Sequence, residues 1–180
     1  MPPLFTIPHF SWLRRLSIVM AVALLGTSVL SLLGWALEVD ELLQLTANSA
    51  PVQPNAALGF GVLALAFLGY ESGYRRVALL ALLPSALGVL VLLQPFVPAT
   101  SSIDELFFKD HLQLGGGLPG RMPAICALCF ILAGAALTYA GLRPLSPRRL
   151  ALGLAGSILT SVGFSTIMAN EAPDIQKRRR

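Results

Sequence analysis

Charged side chains are scarce in this sequence: only 12% of its residues are Asp, Glu, Lys or Arg. A soluble domain carries roughly 25%, because its surface must interact with water. Hydrophobic residues make up 55% of the chain and the mean hydropathy is +0.73. This composition excludes disorder and a water-facing globular surface, and it indicates that most of the surface faces lipid.

Cysteine is also nearly absent, with two residues that both lie in one apolar stretch. Two cysteines do not define a disulfide framework. The formal net charge of +4 comes from basic residues in short pairs between apolar blocks. A nucleic-acid surface would gather them on one face, so the pattern is typical of membrane topology and no nucleic-acid partner is expected.

Long charge-free runs are what the sequence does contain. A helix of about 20 apolar residues crosses a bilayer core. Strand-like alternation is lacking, and backbone polar groups in lipid must be satisfied within the segment, so we predict an all-α polytopic membrane protein. The predicted spans cover residues 16–37, 54–70, 77–96, 123–142 and 150–170. Within the third span, Pro84 predicts a kink.

The segments outside the spans are short. Residues 1–13 combine three prolines with aromatic side chains, which predicts a cytoplasmic or interfacial segment. The transmembrane domain is expected over residues 14–170, followed by a basic tail at 171–180.

Orientation follows from the basic pairs, since short cytoplasmic loops retain Lys and Arg. Such pairs stand at 14–15, 75–76 and 148–149, all on the same side of a five-span chain. The opposite loops are acidic. We therefore expect a multi-pass protein of the bacterial inner membrane with a cytoplasmic N-terminus. The cluster at 177–180 conflicts with an odd number of spans, and the sequence leaves the side of the C-terminus open.

An internal repeat runs through the chain. The acidic segment at 39–43 is similar to that at 103–107, and the Ala-Leu-x-Phe pattern at 57–60 returns at 127–130. Each basic pair opens an outward span. These matches keep the same order, which predicts tandem helix hairpins: two complete units and a third with only its outward helix. We therefore expect a fragment or an unfinished repeat.

Four polar residues are candidates for binding or sensing. Asn55 suits a ligand contact or an interhelical hydrogen bond, or alternatively a helix cap. Asp104 and Glu105 lie in an acidic loop that offers oxygen ligands to a cation, or merely keeps that loop outside the membrane. His111 titrates near neutral pH and suits a pH sensor, or is a solvated loop histidine.

Cys126 and Cys129 are the remaining candidates, spaced i, i+3 on one predicted helix face. A dithiol there would respond to oxidants; alternatively, both pack as small apolar residues. The sequence contains no phosphate-binding loop, nucleophile elbow or metal-ligand set, and no ionisable residue inside a span. We expect no enzyme activity, no catalytic residue, no cofactor and no metal.

The segments 102–110, 119–122 and 127–134 together resemble the N-terminal multi-span sensor module of bacterial PAS, histidine-kinase and GGDEF diguanylate cyclase signalling proteins. Residues 53–60 resemble a first copy of its Pro-Asn-Thr-Ala-Leu-x-Phe motif, with Ala56 where the family has Thr. The second copy lacks the Pro-Asn-Thr part.

The resemblance implies a membrane signal-input module that lacks its effector and carries no kinase or cyclase activity. The alternative is a small accessory or assembly subunit of a larger membrane complex. The expected partners are the lipid bilayer and a second copy or a larger membrane protein, since small residues in the last spans suit close helix packing.

Overall fold

A computed structural model describes residues 11–37, 39, 52–96, 122–142, 152–163 and 165. All regular structure in these residues is helical, as the composition predicts. The helices are α1 (Ser11–Leu37), α2 (Pro54–Glu71), α3 (Leu82–Leu93), α4 (Ala124–Leu142) and the short α5 (Leu152–Gly163), with a 3-10 segment (Arg75–Ala81) that leads into α3.

Three of these helices are long and apolar enough to cross a membrane: Trp12–Leu37, Arg75–Leu93 and Ala124–Leu142. The second predicted span, 54–70, is helical as α2, but its 18 residues begin with Pro-Asn and end with Tyr-Glu. The last predicted span, 150–170, is described only in part, as α5.

Consecutive helices pack side by side. α1 packs on α2, α2 packs on the 3-10 segment and α3, and α3 packs on α4. The first pair is antiparallel, because Arg14 near the start of α1 meets Glu71 at the end of α2. The second pair is also antiparallel, because Gly88 late in α3 lies against Ala127 early in α4.

Glycine 73 closes the turn between α2 and the 3-10 segment. Its φ of 96° lies in the left-handed region, where a Cβ is strained. The amide of Gly73 bonds to the Tyr70 carbonyl at 3.1 Å, and that of Tyr74 bonds to the Gly69 carbonyl at 3.0 Å. This pair of bonds is a Schellman motif, which satisfies two carbonyls at the end of α2. The chain reverses direction there, directly before the 3-10 segment.

The kink at Pro84 stays a prediction, and a change of helix type lies just before this residue. Residues Arg75–Ala81 form a 3-10 helix and the α-helix starts at Leu82, so Pro84 falls in the first turn of α3. Proline is tolerated there because amides of a first turn have no partner within the helix.

Alanines make up most of the buried hydrophobic core, together with a few larger side chains. One cluster contains Ala56, Val91, Met122, Ala127 and Phe130, and a second contains Ala66, Ala78, Ala81 and Leu137. Alanine and glycine let helix backbones approach closely, which is how helices associate where burial from water offers no gain. Most large apolar side chains of α1, such as Val19, Met20 and Val22, are exposed instead.

Candidate functional site

Polar side chains collect where α1 ends and α2 and α4 begin. We call this region the asparagine end and define it by Trp35, Val52, Asn55 and Met122. Asn55 is only 2% exposed. Gln53 is the N-cap of α2 and Pro54 follows it, so Asn55 is the second helical residue and not the cap. The capping interpretation is therefore wrong, because Pro54 with its fixed φ sets the start of the helix.

Trp35 fixes the chain that enters α2. Its indole Nε1 donates to the Val52 carbonyl at 2.8 Å, and the Ser31 hydroxyl lies 3.5 Å from the same oxygen. Trp35 is 4% exposed. A buried indole N–H requires an acceptor, and this one ties α1 to the segment before α2.

A cluster of buried apolar side chains adjoins the start of α2. Met122 is 1% exposed and belongs to the cluster around Ala56, Val91 and Phe130. The cluster joins the start of α2 to the end of α3 and the start of α4. Asn55 directly precedes Ala56, the residue of α2 that belongs to this cluster.

Cys126 and Cys129 are both free and half-buried on α4. Cys126 packs against the same apolar cluster. Among the described residues, no group of three or more His, Cys, Asp or Glu side chains is placed to hold a metal ion. The chemistry available at this end is hydrogen bonding by amide, indole and hydroxyl groups.

Three other predicted candidates, Asp104, Glu105 and His111, lie outside the described residues. Trp35 is a residue of the site that the sequence analysis did not identify. A second buried polar residue that it did not identify is Gln94, at the end of α3, which is 9% exposed. The sequence signal for Gln94 is its position inside a predicted span, 77–96, where polar side chains are rare.

The opposite end of the bundle is basic. We call it the arginine end and define it by Arg14, Glu71, Arg75 and Arg76. Arg14 Nε lies 3.0 Å from Glu71 Oε2, and its Nη2 donates to the Glu71 carbonyl at 2.7 Å. Arg75 and Arg76 are exposed. The end of α4 joins this region through Gly141, which lies against the Arg75 carbonyl.

An apolar groove of about 270 Å³ opens between α1, α2, α4 and α5. Its wall includes Ala21, Ala64, Ala136 and Gly156, with leucines and Phe67 around them. The lining carries no polar side chain, so the groove offers only apolar contacts.

These observations define the class: an all-helical chain with three helices that are able to span a membrane and a buried polar cluster at one end. Comparison with protein-family models, with curated proteins and with solved structures finds no match.

Proposed function

We propose that this chain is the signal-input module of a bacterial signal-transduction protein, embedded in the inner membrane as tandem helix hairpins with a cytoplasmic N-terminus. The observation that carries the proposal is the different construction of the two ends. The asparagine end holds a buried Asn55 and Trp35, while the arginine end is charged and exposed. A sensor needs a receiving end, an output end and rigid elements between them.

Membrane insertion is supported by surface chemistry. Three described helices have the length and hydropathy to span a bilayer. Their large apolar side chains lie largely on the outside: Val19 is 61% exposed and Leu83 is 60% exposed. Arg14, Arg75 and Arg76 gather at one end of the bundle, as expected where positive charge stays in the cytoplasm.

The tandem hairpins are supported by equivalent packing in the two helix pairs. Ala57 and Ala127 hold the same position in the Ala-Leu-x-Phe patterns, and both are 0% exposed. The Ala57 carbonyl accepts a bond from Ser28 of α1 at 2.6 Å. The Ala127 carbonyl lies against Gly88 of α3. Ser28 and Gly88 also hold nearly equivalent positions in the two units. When the basic pair at 14–15 is aligned with the pair at 75–76, the two residues differ by one position.

Signal transfer would use helices α2 and α4, since each runs from the asparagine end to the arginine end. Asn55 begins this path on α2, and Cys126 lies at its beginning on α4. A stimulus at the asparagine end changes how these helices pack, and the change reaches the basic turn at Arg75.

Topology is the first test. Reporter fusions after Arg76 and after Arg149 are expected to report cytoplasm, and a fusion within residues 115–117 is expected to report the outside. A periplasmic signal after Arg76 would overturn the orientation.

Function is tested by partner capture from the native membrane in mild detergent. The proposal predicts association with a PAS, histidine-kinase or GGDEF protein whose output changes with Asn55→Ala at unchanged protein level. Thr27→Ala, which removes a hydroxyl that bonds within α1 to the Leu24 carbonyl, is the control. An output that ignores Asn55→Ala would argue against the asparagine end as the input.

The second candidate function is an accessory subunit of a larger membrane complex. It is favoured by α5, where a Cβ added to Gly153 or Gly163 would meet nothing within 4 Å. Small residues left open on an apolar helix suit another membrane helix. Stable recovery with one fixed membrane complex, insensitive to Asn55→Ala, would favour this function.

A further inference from the structure

The 3-10 segment at the start of the apolar stretch Arg75–Leu93 is unusually long. It covers seven residues, Arg75–Ala81, whereas 3-10 runs beyond three or four residues are uncommon. The segment is part of the apolar stretch Arg75–Leu93, which is able to span a membrane. Its hydrogen-bond geometry is poorer than that of an α-helix, so its surroundings must favour it.

Glycines enclose this segment on two sides. On α2, a Cβ at Gly69 would collide with the side chain of Val77. On α4, a Cβ at Gly134 would collide with the Ala81 carbonyl, and one at Gly141 would lie 2.8 Å from the Arg75 carbonyl. The segment therefore lies in a narrow gap between two helix backbones. A 3-10 helix is wound more tightly than an α-helix and suits such a gap.

A buried hydroxyl lies on the same face of α4 as these glycines. Thr138 lies on the α4 face marked by Gly134 and Gly141, about one helical turn from each. It is 8% exposed, and its Oγ1 has no hydrogen-bond partner. Native structures rarely leave a buried hydroxyl unsatisfied, and such a group requires an explanation.

Pro84 lies just downstream of the segment and removes one hydrogen bond that an α-helical form of it would otherwise make. Because proline has no N–H, the Leu80 carbonyl cannot accept the usual α-helical bond from residue 84. Upstream, the turn at Gly73 connects α2 to the segment.

We propose that Arg75–Ala81 is a conformational switch that converts between the 3-10 form and an α-helix. Over seven residues, the conversion shortens the segment by about 3.5 Å and turns it by roughly 140°. Arg75 and Arg76 then move relative to α3, and the rotated segment presents different carbonyls to the Thr138 hydroxyl. The conversion itself does not depend on the proposed function. Its biological role does, since the segment would be the element that carries a signal to the arginine end.

The test measures the length of the segment directly. Spin labels are placed at Arg76→Cys and Val89→Cys in the full chain, with Cys126→Ala and Cys129→Ala, in lipid nanodiscs. Both labelled positions lie on one helix, so the distance between them reports only its internal geometry. We expect two distances that differ by about 3 Å, the longer one from the 3-10 form.

Variants of the gap change the two populations in opposite directions. Gly141→Ala places a methyl group against Ala78 and the Arg75 carbonyl of the 3-10 form, and this clash is expected to increase the shorter, α-helical population. Thr138→Val removes the hydroxyl that the α form would satisfy and is expected to decrease it. Gly153→Ala, on α5 with nothing within 4 Å of its added Cβ, is the matched control and should leave the distribution unchanged.

Two distances in the unmodified background, or one distance that shifts by about 3 Å in Gly141→Ala, would support the switch. One distance that stays the same in the background and both gap variants would overturn it. That result would leave the proposed function standing, because the topology reporters and partner capture do not depend on the segment.

Discussion

The rings of Phe60 and Phe130 meet edge to face, with centroids 5.0 Å apart and planes inclined by 76°. The two residues close the Ala-Leu-x-Phe patterns of the two predicted repeat units, so the structure brings equivalent positions of α2 and α4 into contact. Phe130 is 1% exposed and also covers Gly59. Edge-to-face pairs add about 0.5–1.5 kcal/mol beyond simple burial.

Gly59→Ala tests this contact. The added Cβ would collide with the Phe130 ring, which must move in a packed core. We expect the free energy of unfolding to fall by about 1–3 kcal/mol, measured by equilibrium unfolding in mixed micelles. Gly26→Ala is the control, because nothing lies within 4 Å of its Cβ. It should be neutral or stabilising by up to about 1 kcal/mol, and equal losses in both variants would contradict the packing.

Trp35→Phe removes the bond from the indole to the Val52 carbonyl. The ring remains apolar and buried, so the expected loss of stability is about 1 kcal/mol, the net value of a typical hydrogen bond. Trp12→Phe provides the comparison, since Trp12 is 58% exposed. If both substitutions changed the free energy of unfolding by the same amount, the hydrogen bond from Trp35 to the Val52 carbonyl would not contribute to stability.

Ser28→Ala removes the hydroxyl that bonds from α1 to the Ala57 carbonyl of α2. Interhelical hydrogen bonds in membranes average about 0.6 kcal/mol, and we expect a loss of that size. Ser17→Ala should have almost no effect, because the Ser17 hydroxyl bonds within its own helix to the Arg14 carbonyl. A neutral Ser28→Ala would show that this hydrogen bond does not help to hold the hairpin together.

Arg14 and Glu71 are suited to a double-mutant cycle with Arg14→Gln and Glu71→Gln. The Arg14 side chain is 60% exposed, so we expect a coupling energy below about 1 kcal/mol. Raising the salt from about 0.1 M to about 1 M should reduce it further, since screening acts over shorter distances. Part of the contact should survive Glu71→Gln, because Arg14 also bonds to the Glu71 carbonyl. A coupling of several kcal/mol would instead indicate a dry ion pair.

Helix positions were accessible from the sequence. Predicted spans 54–70 and 123–142 correspond to helices Pro54–Glu71 and Ala124–Leu142. Charge-free runs of this length leave few alternatives, because the backbone must satisfy its own hydrogen bonds in an apolar environment. The first predicted span began at residue 16, but α1 begins at Ser11, since arginines at a helix start do not interrupt the helix.

The candidate site was accessible only in part. Asn55 was identified as a polar residue at the start of an apolar run, and its burial is a tertiary property. Trp35 gave no such signal, because an apolar or interfacial position explains tryptophan equally well. Its bond to Val52 depends on how α1 lies against the chain before α2.

Run length and charge are local properties, and they suffice to predict that the chain is helical, where most of its helices lie and which turns carry the basic pairs. The faces that meet are visible only in the folded chain: Phe130 lies over Gly59, Gly134 and Gly141 lie beside the 3-10 segment, and Trp35 bonds to Val52. The helices are apolar nearly all round, so no amphipathic stripe marks the packed side. The contacts depend instead on the fit of small residues to neighbouring backbones, which hydropathy does not encode.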